Sequence, residues 1–226
     1  MKKLLYIIRS MAMVAGTERV ATDKMNWLAE HGYEITLVTY EQGNHPIVFP
    51  LHPSIKVYDL DTEFYKLGSL FLLRRYYEYL KMKSVFGKRL KSIVETVNPD
   101  IVSTTAYSLK VADEIVKACK HSRLILESHE TCFSVFKEYD YQANPLMRIV
   151  AKVYDLQYYH SINKFDRIVT LTDGDANGWR KHVSTEVVVI PNPLTYYPLT
   201  LEKKSVDGSC RLISAGRLDS VKGFTS

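Results

Sequence analysis

What constrains this chain most is a repeated alternation. Short, uninterrupted runs of β-branched and aliphatic residues are separated by longer stretches of helical period. The runs are Leu4–Ile8, Glu34–Tyr40, Ile55–Leu60, Ile101–Thr104, Arg123–Ser128, Arg167–Leu171 and Val187–Ile190. The helical stretches are Thr17–His31, Phe64–Val97, Tyr107–Lys120, Pro145–Asn163 and Asp173–Val183. Runs with no polar alternate suit strands covered on both faces, as in parallel sheets. Strand–helix–strand alternation then predicts an α/β fold, a doubly wound parallel sheet with right-handed crossovers.

Local signals agree. Gly32 follows His31 where a left-handed residue ends a helix, and Pro145 can open a helix at its first position. Thr172 with Asp175 three residues on has the spacing of a capping box.

The texture changes after Ile190. Pro191-Asn192-Pro193 continues neither helix nor central strand, and Thr195–Ser209 is mixed and polar, so it reads as a linker. The expected organisation is one Rossmann-like domain over residues 1–194, a linker over 195–209, and over 210–226 the first strand and loop of a second domain. A lone apolar run, Leu212–Ala215, cannot form a core.

With 46% hydrophobic and 24% charged residues, the composition excludes disordered, collagen-like and disulfide-scaffold chains. Cys119, Cys132 and Cys210 share no CxxC spacing, which disfavours a zinc site and fits a reducing cytosol. The longest uncharged apolar-rich run, Leu67–Leu73, is far short of the roughly 20 residues of a membrane span.

In an open parallel sheet, ligands meet the loops at the carboxyl ends of the strands. Arg9–Arg19 carries Gly16 near a helix start, which lets backbone amides approach an anion. A glycine that merely permits the turn is the plainer alternative. GxGxxG, P-loop and GxSxG patterns are absent. After the fifth run, Glu127-Ser128-His129-Glu130 puts a histidine between acids at a strand end, suited to hydrogen bonding or proton traffic; a structural histidine is the alternative. Asp59-Leu60-Asp61 and Asp173-Gly174-Asp175 read as a strand end and a helix cap, so no metal is expected.

Residues 66–95 hold eight cations and two acids, in a chain whose net charge is +5. Arg74, Lys81 and Lys88 recur every seven residues, beside an apolar stripe of Leu70, Leu73, Tyr77 and Leu80. Such a helix can rest on an anionic membrane, or simply present a solvated face while packed on the sheet. Nucleic acid is not an expected partner, since no binding motif accompanies the charge.

Taken together, Gly16-Thr17-Glu18-Arg19-Val20, His31–Thr39, Phe165–Val169, Val189–Leu194 and the pattern Gly216-Arg217-Leu218-x-x-x-Lys222-Gly223-Phe224 resemble GT-B glycosyltransferases of family 4. The resemblance implies two Rossmann-like domains across a cleft, this chain being mostly the acceptor-side, amino-terminal half. It implies a catalytic His129 facing the transferring sugar. Gly16 would lie beside the donor diphosphate, and Arg217 and Lys222 would neutralise the departing nucleoside diphosphate. Fixed cations stabilise such growing charge.

The expected activity is retaining transfer of a hexose from a UDP- or GDP-sugar to a surface glycan or glycolipid, without metal or other cofactor. The setting would be the cytoplasm, peripherally at the inner membrane face. Ala15 replaces a frequent second glycine, and the acidic Glu-x₇-Glu element of the donor domain is not in the sequence. The 226 residues alone are therefore expected to be inactive. Two alternatives stand beside this one: a non-catalytic module binding glycan or membrane, and another GT-B enzyme such as a nucleotide-sugar epimerase.

Overall fold

The computed structural model describes residues 1–69, 72–129, 156 and 158–193. The chain divides into two units, Met1–Pro193 and Leu194–Ser226, and the described residues all belong to the first. Its elements are β1 (Lys3–Ile8), α1 (Gly16–Glu30), β2 (Glu34–Thr39), β3 (Lys56–Asp59), a 3₁₀ turn at Phe64–Ser69, and α2 (Leu72–Val97). Then follow β4 (Ile101–Thr105), a second 3₁₀ turn at Ala106–Val111, α3 (Ala112–Ala118), β5 (Arg123–Ser128), β6 (Arg167–Thr170), α4 (Asp173–Arg180) and β7 (Glu186–Val189).

The strands form a seven-stranded sheet in the order β3-β2-β1-β4-β5-β6-β7, every neighbouring pair parallel. Chain order reverses between β1 and β4, so the loops after β1 and β4 diverge there and leave a crevice at the carboxyl edge. This is the Rossmann-like, doubly wound architecture that the alternation predicts.

The unbroken apolar runs have a direct structural cause. Along β1, Leu4, Tyr6 and Ile8 pack under α1 with Ala21 and Met25, while Leu5 and Ile7 face α2 and α3 through Phe86, Leu90 and Ile115. Both faces of the central strands are thus buried, which removes any polar alternate. Helix ends follow their signals too. Gly32 has φ +83°, and Thr172 Oγ1 accepts from the Asp175 backbone N–H at 3.2 Å. Satisfying that amide starts α4.

Burial on both faces does not extend to the whole sheet. All four residues of β3 are exposed, including Val57 and Tyr58. The strand is short and lies at the sheet edge, where one side has no neighbour. The helical stretch Pro145–Asn163 lies mostly outside the described residues, as do Leu70, Cys132 and Cys210.

On α2 the inward positions are Lys83, Phe86, Leu90 and Val97. The stripe expected to include Tyr77 and Leu80 turns outward instead: Tyr77 is 67% exposed and Leu80 45%. The helix buries a different face because Phe86 and Leu90, one turn apart, fit the core beside Tyr40 and Ile115.

Candidate functional site

The loop after β1 is stapled to the loop after β2 by one side chain. Gln42 Oε1 accepts from the Met11 backbone N–H at 2.7 Å and from Ser10 Oγ at 3.1 Å, while its Nε2 donates to the His45 carbonyl at 2.8 Å. Met11 is fully buried beneath. The Tyr40 and Glu41 amides donate to the Arg9 carbonyl, and Arg9 pairs with Glu41. These bonds fix where α1 begins.

Gly16 opens that helix. Ala15 before it is extended and makes no side-chain capping bond, so the first-turn amides have no side-chain acceptor at the N-cap. A Cβ built on Gly16 would meet nothing within 4 Å, and its φ is not in the left-handed range. The turn itself does not require this glycine. What the missing side chain leaves is open space at a helix N-terminus, where an anion's approach is favoured.

Two strands away, β5 carries Glu127 and Ser128 into the carboxyl edge, with His129 directly after. Glu127 lies under α1, buried between elements. Its Oε2 receives the Lys24 ammonium from α1, and its Oε1 accepts from the Ser103 hydroxyl on β4. The Lys24 Nζ also sits 5.3 Å from the ring centre of Tyr6 on β1. Burial alone would raise the carboxyl's affinity for a proton. The His129 ring, the Lys24 ammonium and the Ser103 hydroxyl outweigh it and hold the Glu127 pKa down to about 2, so it is a carboxylate at neutral pH. Burial, reinforced by that carboxylate, raises the Tyr6 phenol well above its ordinary value.

His129 Nε2 lies 3.3 Å from Glu127 Oε2, with the His129 side chain 9% exposed. Neither ring nitrogen has a hydrogen-bond partner in line. Ser128, just before it, is held through its Oγ by the fully buried Trp179, whose Nε1–H donates at 3.2 Å. Other buried polar atoms without a partner are Glu18 Oε2 in the first turn of α1, Thr22 Oγ1 one turn on, and Thr105 Oγ1 at the end of β4. Apart from Thr36 on β2, the orphaned polar side chains of the described residues belong to α1 or to the ends of β4 and β5. Buried polar groups are normally satisfied, so these unpartnered atoms stand out from the rest of the described interior.

Of the residues singled out in the sequence, Gly16 and His129 both belong to the carboxyl edge. Arg217 and Lys222 lie outside the described residues. Thr172 and Asp175 serve as a helix cap, and Asp59 accepts from Thr39 Oγ1 at 3.0 Å. The residues that sequence reasoning missed are Glu127, Lys24 and Ser103. An acid within an otherwise apolar parallel strand was the available signal for Glu127.

Comparison with known proteins is decisive for the family. The profile of Glycosyltransferase Family 4 matches residues 14–195. The chain belongs to that family. An uncharacterized glycosyltransferase of Haemophilus influenzae (strain ATCC 51907 / DSM 11121 / KW20 / Rd) is 25% identical over 99% of this chain and 56% of its own length. The chain thus spans little more than half of that relative.

Among solved structures, sucrose-phosphate synthase from Thermosynechococcus elongatus superposes with a TM-score of 0.59 at 11% identity, over 84% of this chain and 48% of that one. The lipopolysaccharide outer core galactosyltransferase WaaB gives 0.56 at 12%, over 85% and 46%. Phytolacca americana UGT2, solved with UDP-2fluoro-glucose and pterostilbene, gives 0.55 at 11%, over 85% and 55%. These likenesses show the fold, that of one Rossmann-like half of a GT-B glycosyltransferase. For a family 4 chain, the carboxyl edge described above is the edge to examine.

Proposed function

We propose that residues 1–194 form the acceptor-side domain of a retaining glycosyltransferase. It moves a hexose from a UDP- or GDP-sugar to a surface glycan or glycolipid. The observation that carries this reading is the His129 ring at the sheet's carboxyl edge, its Nε2 3.3 Å from the ionised Glu127 carboxylate and its Nδ1 without a partner. There His129 is the catalytic residue, meeting the sugar as its bond to the diphosphate breaks.

The open space at Gly16 admits the donor diphosphate to the first-turn amides of α1. Arg217 and Lys222 neutralise the charge that grows on the departing nucleoside diphosphate. The family resemblance assigns that work to these cations and to no metal or other cofactor. Residues 195–209 then serve as linker and 210–226 as the start of the donor-binding domain. In this reading the 226-residue chain alone turns over no nucleotide-sugar, because it supplies one wall of the cleft.

The test uses the full-length protein. His129→Ala should abolish sugar transfer while leaving the fold intact, read from its circular dichroism. Interconversion of a nucleotide-sugar with no acceptor present would instead favour an epimerase.

A second reading concerns location. Tyr76, Tyr77 and Leu80 are exposed at 54%, 67% and 45%, on a helix that also carries Arg74, Arg75 and Lys81. Cations beside exposed apolar side chains suit an anionic bilayer surface, which supports an acceptor presented at the inner membrane face. No described helix is long and apolar enough to cross a membrane. Vesicles containing anionic lipid should retain the chain at low salt and release it as salt rises. Association that survives His129→Ala, in a full-length protein without transferase activity, would favour the non-catalytic binding module.

A further inference from the structure

The described surface includes a second concavity, a groove of about 460 Å³ between α2 and α3 lined by Lys83, Lys88, Lys91, Asp113, Glu114 and Lys117. Its cations are largely committed. Lys83 pairs with Asp113 at 2.7 Å, Lys117 with Glu114 at 2.8 Å, and Lys91 with Glu95 at 3.7 Å. The groove therefore reads as the ion-paired seam between two helices. The cluster around Glu127 is different, because its parts come from separate elements, α1, β4 and the end of β5, and converge on one carboxylate.

We propose that Glu127, with Lys24 as its counter-ion, is a positioning residue that sets the orientation and the charge of His129. This rests on the proposed role of His129, and three observations carry it. First, Glu127 Oε2 faces two groups at once, the Lys24 ammonium from α1 and His129 Nε2 at 3.3 Å. Second, the Ser103 hydroxyl from β4 engages the other oxygen, so the carboxylate cannot rotate away from the ring without losing a bond. Third, a glutamate has no packing reason to occupy a covered position in an apolar strand. Its neighbours Leu124 and Leu126 are core residues, and a leucine would bury more readily.

The geometry also explains why a lysine is present. A half-buried ammonium on the same oxygen shares the carboxylate's charge, so the ring faces an ion pair and not a lone anion. The described charged or titratable groups around the Glu127 carboxylate are then His129 after β5, Lys24 on α1 and Tyr6 on β1, whose phenol stays neutral. Since Lys24 belongs to the helix that Gly16 opens, the same pair ties the anion-binding end of α1 to the histidine strand.

The test is a titration of the 226-residue chain carrying ¹⁵N-labelled histidine, with the His129 signal assigned through His129→Gln. It needs neither donor nor acceptor, so absence of transferase activity leaves it standing, and a null titration leaves the transferase reading standing.

Removing the carboxylate (Glu127→Gln) should make the ring release its proton at a pH about one unit lower, a roughly tenfold loss of proton affinity. Removing the ammonium (Lys24→Met) should move the midpoint the other way, by about half a unit or more. Opposite signs are what a charge relay through the carboxylate requires. Movement of both variants in one direction, or no movement in either, would overturn the proposal. Should Glu127→Gln fail to fold, the sign of the Lys24→Met shift still decides it: upward supports, downward or none overturns.

Discussion

His129 Nε2 stands 3.3 Å from Oε2 of Glu127, and the two side chains are buried together, at 9% and 12% exposure. The pair sits at the carboxyl end of β5, where the strand passes into the loop that follows it. The carboxylate belongs to the interior of the fold and the ring to its edge. The Glu127 charge accordingly links the stability of the domain to its chemistry.

Acid should therefore weaken this domain in a defined window. The Glu127 carboxyl titrates near 4.5 when unfolded and at about 2 when folded. A depressed carboxylate stabilises fully above the unfolded value, and that stabilisation is lost as pH falls from about 4.5 toward 2. Its size is on the order of 3 kcal/mol. Urea unfolding of wild type and Glu127→Gln should differ by about that much at pH 7, and by less than half of it at about pH 3. A difference independent of pH would show that Glu127 stabilises by packing alone.

Cys119 is a buried thiol in the main core, and burial pushes its pKa up to about 12. The thiolate is the reactive form, so native protein at pH 8 should leave Cys119 unmodified by iodoacetamide over hours. Peptide mapping after unfolding in urea should find it alkylated. Rapid native labelling at Cys119 would contradict the packing of α3 against the sheet.

Gly16 separates folding from binding. Because a Cβ there meets nothing within 4 Å at an exposed position, Gly16→Leu should change unfolding free energy by no more than about 0.5 kcal/mol. In the full-length protein the same substitution should weaken nucleotide-sugar binding at least about tenfold, by occupying the space beside the first-turn amides. A variant that binds normally would remove Gly16 from the site.

Gly87, within α2, offers a stability test remote from the site. Its added Cβ would lie 2.5 Å from Glu114 Oε2, the free end of a flexible side chain. Gly87→Ala gains about 1 kcal/mol of helix propensity and gives up part of the Lys117–Glu114 ion pair, whose lysine is exposed, a few tenths of a kcal/mol. Denaturant unfolding should find the variant about 0.5 kcal/mol more stable. Destabilisation beyond about 1 kcal/mol would mean that Glu114 is held more tightly than a surface ion pair allows.

The fold was legible because its central strands are covered on both faces, which forces long apolar runs such as Leu4–Ile8. That inference overreached at β3, where an edge strand keeps Val57 and Tyr58 exposed. The outward turn of Tyr77 and Leu80 was hidden for a related reason. Spacing locates an apolar stripe on α2 but not which of two stripes the core will accept.

At the site, His129 could be read from its place at a strand end. Lys24, the counter-ion of Glu127, could not: it is 103 residues from Glu127 in sequence, and only the β1-β4-β5 adjacency brings α1 over β5. Gln42, which staples Met11 from 31 residues away, was invisible for the same topological reason.

The most direct measurement is release of nucleoside diphosphate from UDP-glucose or GDP-mannose by the full-length protein, comparing wild type with His129→Ala well below the melting temperature of either. If His129 meets the sugar during transfer, the variant should lose at least about a hundredfold in rate on whichever donor the wild type uses. A variant that turns over as fast as wild type would contradict the account.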